Sequence, residues 1–436
     1  MKQNQGPLSG FRDMLPEQML PREQMIQKIK TVFERYGYSP LETPAIERYE
    51  TLAGKYGEEG KKLMYRFRDH GNRDVALRYD LTVPLARVVA QHRDKIPLPF
   101  KRYQIGPVWR GESPQAGRYR EFYQFDADVV GSKSPMADAE VVMMMCDIFK
   151  SLEVNAVVRV NNRRILDGLA EVSGIKDTKE ARKLISIIDK TDKFGVDYVL
   201  KEIESQFGGN VSELVSKYLS IEGTPSIRLE RIRQILENNN SAEEGISNLK
   251  TVFSILEAAG YKEPLVIFDQ KIARGLDYYT GIIFETTLTN LPNIGSVCSG
   301  GRYDNLIATL SDNKVDLPAV GTSVGVDRLL TALQTLRTVE TIKTPSQILI
   351  VNFGEELSGE YAQVASNLRS LGIPTEVYYE GAKLAKQLKY ADSLGIPWAL
   401  FMGPDEIKAK VVKIKNLKTG EQFERKLEDL VDLLKN

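Results

Sequence analysis

Five arginines carry most of the chemical information in this chain: Arg110 in VWRGES, Arg118 and Arg120 at the far end of the loop that follows, Arg274 in ARGLDYYTG, and Arg328 in VGVDRLL. Taken singly, each reads as a surface residue. Taken together they suit a polyanion, because a planar guanidinium donates two parallel charge-assisted hydrogen bonds to phosphate or carboxylate. No GxxxxGK[ST] loop is present, so phosphates would be held by side chains on a sheet. The stretch ARGLDYYTGIIFE sets Arg274, Asp277, Tyr278 and Tyr279 among glycines, ahead of a strand-like tail. Such charges rarely go inside unless paired, and glycine lets a backbone pass close to a ligand. By itself the stretch is equally a polar turn leading into a strand.

The elements that would position these residues follow from periodicity. Residues 17–36 have helical apolar spacing, and Pro40 and Pro44 then enforce extended chain. MYRFR and DVALRY, around Asp69–Asn72, form a hairpin pattern. FKRYQIGPVWR and YREFYQFDADVVG read as antiparallel partners joined by the loop GESPQAGR, and residues 137–152 as an amphipathic helix. Residues 161–258 are Lys-, Glu-, Asn- and Leu-rich with helical spacing and read as a helical insertion. LVIF and GIIFETTL read as strands, GGRYDNLIATL as a glycine turn entering a helix, and VGTSVGVDRLLTAL as a strand entering a helix. After a linker near TIKTPSQ, strands and helices alternate, which implies a small α/β domain with a mixed sheet, ending in two short strands and a last helix.

Composition narrows the function. The chain has 436 residues, enough for two or three domains. Its 59 basic and 59 acidic residues balance, so no strongly basic nucleic-acid protein shows in the totals. Two distant cysteines fit a reducing compartment, and two histidines without metal-ligand spacing argue against a zinc hydrolase. The polar N-terminus and the lack of a long apolar run point to the cytoplasm and no membrane.

At this point a resemblance becomes specific. The helix–strand–proline unit ending at Pro44, the VWRGES loop with GRYREFYQFDADVVG, and AVGTSVGVDRLL resemble the three motifs of the class II aminoacyl-tRNA synthetases. ARGLDYYTGIIFE, SGGRYDNL and GFRDMLPEQ resemble segments of the histidyl-tRNA synthetase family, and the similarity spans essentially the whole chain. The resemblance implies an α+β fold, with an antiparallel catalytic sheet, a helical insertion and a C-terminal α/β anticodon-binding domain. The parts would be 1–160 and 259–338 (catalytic), 161–258 (insertion, a clamp on the tRNA acceptor arm) and 346–436 (anticodon-binding). It implies ligation of L-histidine to tRNA(His) by a homodimer, using ATP with Mg2+, through a histidyl-adenylate.

Roles carry over residue by residue, as what the resemblance implies. Arg110 and Arg274 would meet the α-phosphate from opposite sides as the catalytic pair. Glu112 would contact the adenine amino group and Phe122 would stack on the ring. Arg328 would cover the other adenine face and reach the γ-phosphate, with Arg118 assisting. Asp80, Thr82 and Gln124 would hold the substrate ammonium. Asp128 and Tyr279 would face the imidazole, with Tyr278 and Tyr303 lining the pocket and Asp277 orienting neighbours. In the C-terminal domain Lys408, Lys410, Lys413 and Lys415 form a basic stretch that reads equally as a solvated face or an RNA contact. The alternative is a synthetase-like histidine-binding regulatory subunit of ATP phosphoribosyltransferase. Those proteins generally lack the C-terminal domain and part of the arginine set, whereas Arg110, Arg274, Arg328 and residues 346–436 are all present here.

Overall fold

The computed structural model describes residues 6–53, 56–114, 117–237, 239–273, 278–311, 314–338 and 342–426. They fall into two compact units, one built from the described residues of 6–12 and 25–338, the other from 13–24 and the described part of 339–436. Residues 13–24 thus group with the C-terminal unit, whereas the sequence pattern sets them in 1–160.

In chain order the first unit contains β1 (Ser39–Pro40), β2 (Ile46–Arg48), β3 (Arg66–Arg68), β4 (Asp74–Leu77), β5 (Phe100–Trp109), β6 (Glu121–Val130), β7 (Ala156–Asn162), β8 (Val266–Phe268), β9 (Ile282–Leu288), β10 (Cys298–Arg302) and β11 (Ala319–Gly325). Eight of them form one sheet in the order β1-β5-β6-β11-β10-β9-β7-β8, antiparallel except at its two edge pairs. The hairpin read around residues 69–72 is β3–β4, which pairs with β2 in a small second sheet. Asn72 takes a left-handed conformation at that turn (φ 58°), which asparagine tolerates better than most residues.

Strand alternation gives the large sheet two unlike faces. Phe125 of β6 points to one face and meets the ring of Phe33 at 4.8 Å, edge-on. The helix Pro135–Ser151 packs on the same sheet; Pro135 opens it and the Ser134 hydroxyl accepts from the Met136 N–H, a strong start signal. Arg302 of β10 pins that helix by donating to Asp138 at 2.6 Å and 3.0 Å; Asn248 of the helix Asn240–Ala258 reaches the other Asp138 oxygen at 3.1 Å. The opposite face of β6 carries Phe122, Gln124, Asp126 and Asp128, and that face bears the site.

The described residues of 163–258 are mainly helical, but Asn161 and Asn162, read as the start of the insertion, belong to β7. The helices Arg163–Val172 and Asn240–Ala258 pack on each other and on the sheet, so the helical region is continuous with the layer covering it. A second difference is the start of GGRYDNLIATL: its pattern predicts a glycine turn, yet Gly300, Gly301 and Arg302 belong to strand β10, paired on both sides. The glycines serve close packing instead of a turn: a Cβ on Gly300 would sit 2.1 Å from the Gly321 carbonyl oxygen and 2.6 Å from the Phe284 ring.

The second unit holds β12 (Ile348–Ile350), β13 (Thr375–Val377), β14 (Trp398–Phe401), β15 (Val412–Asn416) and β16 (Gln422–Arg425) in the order β13-β12-β14-β15-β16. The first three are parallel and the last two antiparallel, the mixed sheet expected from the alternation. Ile348, Ile350, Leu400 and Ile414 pack against Tyr361, Val364 and Leu368 of the helix Ser358–Ser370. Lys413 of β15 is paired with Glu406 at 2.7 Å. The expected last helix lies outside the described residues.

Gly300→Ala is therefore expected to destabilise the first unit by about 1–3 kcal/mol or more, the usual cost of overpacking against backbone that cannot yield. The urea midpoint of its unfolding transition measures this.

Candidate active site

A cavity of about 670 Å³ opens on the polar face of the large sheet. Asp80, Thr82, Arg110, Glu112, Arg118, Phe122, Gln124, Tyr278, Tyr279 and Arg328 all line it. Arg274 lies outside the described residues, but Ala273 and Tyr278 on either side of that segment are on the cavity wall.

Arg110 follows β5. Its guanidinium lies over the Tyr79 ring at 4.4 Å and the Phe122 ring at 5.1 Å, and its Nε donates to the Tyr79 carbonyl. Stacking of this kind holds the fork in place while leaving other donors for an anion. Arg328 opens the helix Val326–Thr335 and donates to the Ser296 carbonyl at 2.8 Å. Its neighbour Asp327 anchors the same junction, accepting from the Tyr123 N–H at 2.7 Å and from Arg12. Glu112 and Arg118 form an ion pair with each other, so a ligand contacting Glu112 shares it with that guanidinium.

Asp80 is buried just ahead of the helix Thr82–Gln91 and accepts four hydrogen bonds: from the N–H groups of Thr82 (3.1 Å) and Val83 (3.0 Å) and from the hydroxyls of Tyr56 (2.8 Å) and Tyr278 (3.2 Å). Burial raises its carboxyl above the usual range, opposed by those donors and by the charge of Arg110. Tyr278 packs edge-on against Tyr279 (5.3 Å) and Tyr303 (5.8 Å).

Two expected pocket residues sit deeper. Asp128 and Tyr303 are 3% and 2% exposed and do not line the cavity; they form a layer beneath it. The Tyr303 hydroxyl donates to Asp128 Oδ1 at 2.5 Å, and Asp128 Oδ2 lies 2.6 Å from Nη2 of Arg102 as an ion pair off the hydrogen-bond axis. Arg102 is fully buried and faces Asp128 directly across the β5–β6 ladder. Asp128 also adjoins Asp126, two residues nearer the cavity; burial pushes Asp126 up to about 7, opposed by the Arg102 charge and reinforced by Asp128. Arg102 and Asp126 escaped the sequence reading. Their signal was the alternation itself, since Gln124, Asp126 and Asp128 must share one face.

The helical region also contributes wall: Arg182, Ile185, Ser186 and Asp189 of the helix Thr178–Ile188 and its C-cap, together with Arg163. Nothing local in the sequence brings them there. Among the described residues no cluster of three His, Cys, Asp or Glu side chains could hold a metal by itself, and no helix is long and apolar enough to cross a membrane.

A cavity with arginines stacked or anchored on its wall, beside a buried carboxylate and tyrosine hydroxyls, can take an anion at one place and a donor-rich small molecule at another. Comparison with known proteins agrees. Residues 10–329 match the family model described as histidyl-tRNA synthetase, and residues 347–436 match the one described as anticodon binding domain. The histidine–tRNA ligase of Rhodopirellula baltica is 42% identical, over 95% of this chain and 93% of its own. That of Gloeobacter violaceus is 42% identical, over 96% and 95%. The crystal structure of histidyl-tRNA synthetase from Nostoc sp. PCC 7120 superposes with a TM-score of 0.88 at 34% identity, covering 99% of both chains. Catalytic sheet, cavity and C-terminal unit all fall within these matches, and the chain belongs to the histidyl-tRNA synthetase family, with its class II catalytic fold and anticodon-binding domain.

Proposed function

We propose that this protein attaches L-histidine to tRNA(His) in two steps on the cavity described above. The histidine carboxylate attacks the α-phosphorus of ATP and pyrophosphate leaves, giving histidyl-adenylate. A terminal ribose hydroxyl of the tRNA then attacks the activated carbonyl, and AMP leaves. The observation that carries this reading is the convergence of Arg110, Arg118 and Arg328 on the same wall as Asp80, Gln124 and Tyr279.

A carboxylate is already a nucleophile, so the first step needs no protein base. What the chain supplies is position and charge, the main currency of phosphoryl and nucleotidyl transfer. Arg110 and Arg274 would meet charge on the α-phosphate; Arg328 and Arg118 would hold the outer phosphates; Phe122 and Glu112 would take the adenine. Magnesium would enter as the counter-ion of ATP and neutralise charge on its phosphates, since among the described residues no cluster of three acidic, histidine or cysteine side chains would hold the ion by itself. Asp80 and Gln124 would hold the α-ammonium, and Tyr279 would meet the imidazole over the Asp128–Tyr303 layer. Residues 346–436 would read the anticodon, the helical region would grip the acceptor arm, and the working form would be a cytoplasmic homodimer. The regulatory-subunit reading is weakened by Arg110 and Arg328 on the cavity wall and by the anticodon-binding match.

The direct test is histidine-dependent exchange of pyrophosphate into ATP, followed by charging of tRNA(His). Absence of both with pure protein overturns the reading. Arg110→Ala is expected to slow adenylation by about 10²–10³, the scale of one lost preorganised donor, with poor rescue by Arg110→Lys. Tyr279→Phe should raise the KM for histidine about tenfold or more and leave that for ATP nearly unchanged, if its hydroxyl reads the side chain. It is a cleaner probe than Asp128→Ala, which would strand the buried Arg102 guanidinium and destabilise the fold.

A further inference from the structure

Gln124 lines the cavity with half of its amide already committed. Its Nε2 donates to the Ser323 hydroxyl at 2.9 Å, while its Oε1 is buried with no hydrogen-bond partner. Ser323 lies on β11, opposite Asp126 in the ladder with β6, and its hydroxyl hydrogen-bonds the Asp126 carboxylate. The other Asp126 oxygen, Oδ1, is likewise buried without a partner.

A serine hydroxyl has one proton to give. With Gln124 donating to it, that proton goes to Asp126. An ionised carboxylate can only accept, so it fixes the direction of the whole chain: Gln124 donates to Ser323, which donates to Asp126. The amide then leaves its carbonyl, buried at the edge of the cavity that Gln124 lines, as the end without a protein donor. If Asp126 takes up a proton the chain can run backwards. Asp126 would donate to Ser323, Ser323 would donate to the amide oxygen, and the NH2 end would face the cavity. That end repels an ammonium group.

We propose that Asp126 and Ser323 are positioning residues which set the orientation of the Gln124 amide, so that its carbonyl oxygen receives the α-ammonium of histidine. The proposal rests on the function proposed above. The groups bearing on Asp126 come from each element around it: Arg102 and Arg78 favour the ionised form, Asp128 and Asp80 oppose it, and Tyr279 and Cys298 lie within electrostatic reach. Burial, reinforced by the neighbouring Asp128 and Asp80 carboxylates and opposed by the Arg102 charge, brings proton uptake by Asp126 into the near-neutral range. The relay is therefore intact above that range and lost as pH falls through it.

The test compares the KM for histidine of the wild type and of Ser323→Ala in pyrophosphate exchange between about pH 6 and about pH 8.5, spanning the unperturbed imidazole pKa. The titration of histidine itself is common to both proteins and cancels in their ratio. The expected ratio is about tenfold or more at the alkaline end, the worth of one well-placed hydrogen bond to a charged group, and falls toward unity at the acid end as the wild type loses its own relay. The KM for ATP should not follow. Asp126→Asn, equal in size and unable to ionise, can accept from or donate to Ser323 and so no longer fixes the direction; its ratio should be smaller at the alkaline end and converge on unity in the same way. A ratio that stays constant with pH in both variants, whether at unity or above it, overturns the relay and leaves these residues as packing. A wild type that shows no histidine-dependent exchange at any pH overturns the function itself, and the relay's role with it.

Discussion

The first unit is organised around one buried ion pair. Removing a guanidinium and a carboxylate from water costs several kcal/mol each, and the pair is tolerated only when geometry returns that energy. Arg102 and Asp128 meet at 2.6 Å from directly opposed positions on β5 and β6. The surroundings meet part of what remains, while Arg102 Nε and Nη1 stay buried without hydrogen-bond partners. Arg102 Nη2 donates to the Leu81 carbonyl at 3.3 Å, at the start of the helix Thr82–Gln91, and Tyr303 donates to Asp128 from just beyond β10. On β11 a glycine is required beside the pair, because a Cβ on Gly321 would lie 1.9 Å from Asp128 Oδ1. One pair thus sets the spacing of several separate elements.

The character of the cavity follows from that floor. Asp80, Asp126 and Asp128 are all raised by burial and bear on one another, and the charges of Arg102 and Arg110 oppose the rise. A floor of this kind favours a ligand that brings a positive charge or hydrogen-bond donors. The wall above it is different: arginines on aromatic faces or at a helix start favour an anion. A zwitterionic amino acid beside a nucleotide meets both demands.

The helical region is tied to the same sheet by a second cationic centre. Arg159 of β7 reaches Asp192, Asp269 and Glu285 at 2.6–2.8 Å, which joins a short helix of that region, the segment leading to Ala273, and the cavity wall. The region therefore shapes the cavity as well as extending from it, with Arg182 and Asp189 on the wall.

How much of this was legible in the sequence depends on the range of the interaction. Element types came through because they rest on local periodicity: the hairpin around residues 69–72, the long β5–β6 pair, and the strand–helix alternation after residue 346. The arginines at element ends and the resemblance of the surrounding motifs named ten of the residues on the cavity wall. What failed was non-local. The glycine pair opening GGRYDNLIATL reads as a turn until one sees that Gly300 and Gly321 pass each other within a contact that admits no Cβ. Asp128 reads as a surface of the pocket until Arg102, 26 positions earlier in the chain, is found opposite it in the ladder. Gln124, Asp126 and Asp128 shared a face by strand geometry alone. Only the register with β11 put Ser323 beside Asp126, and so gave the Gln124 amide a direction. Sequence determines which residues alternate and which can bear charge. Which charges become neighbours is decided by strand register and burial, because desolvation makes a buried charge depend on partners brought in from distant parts of the chain.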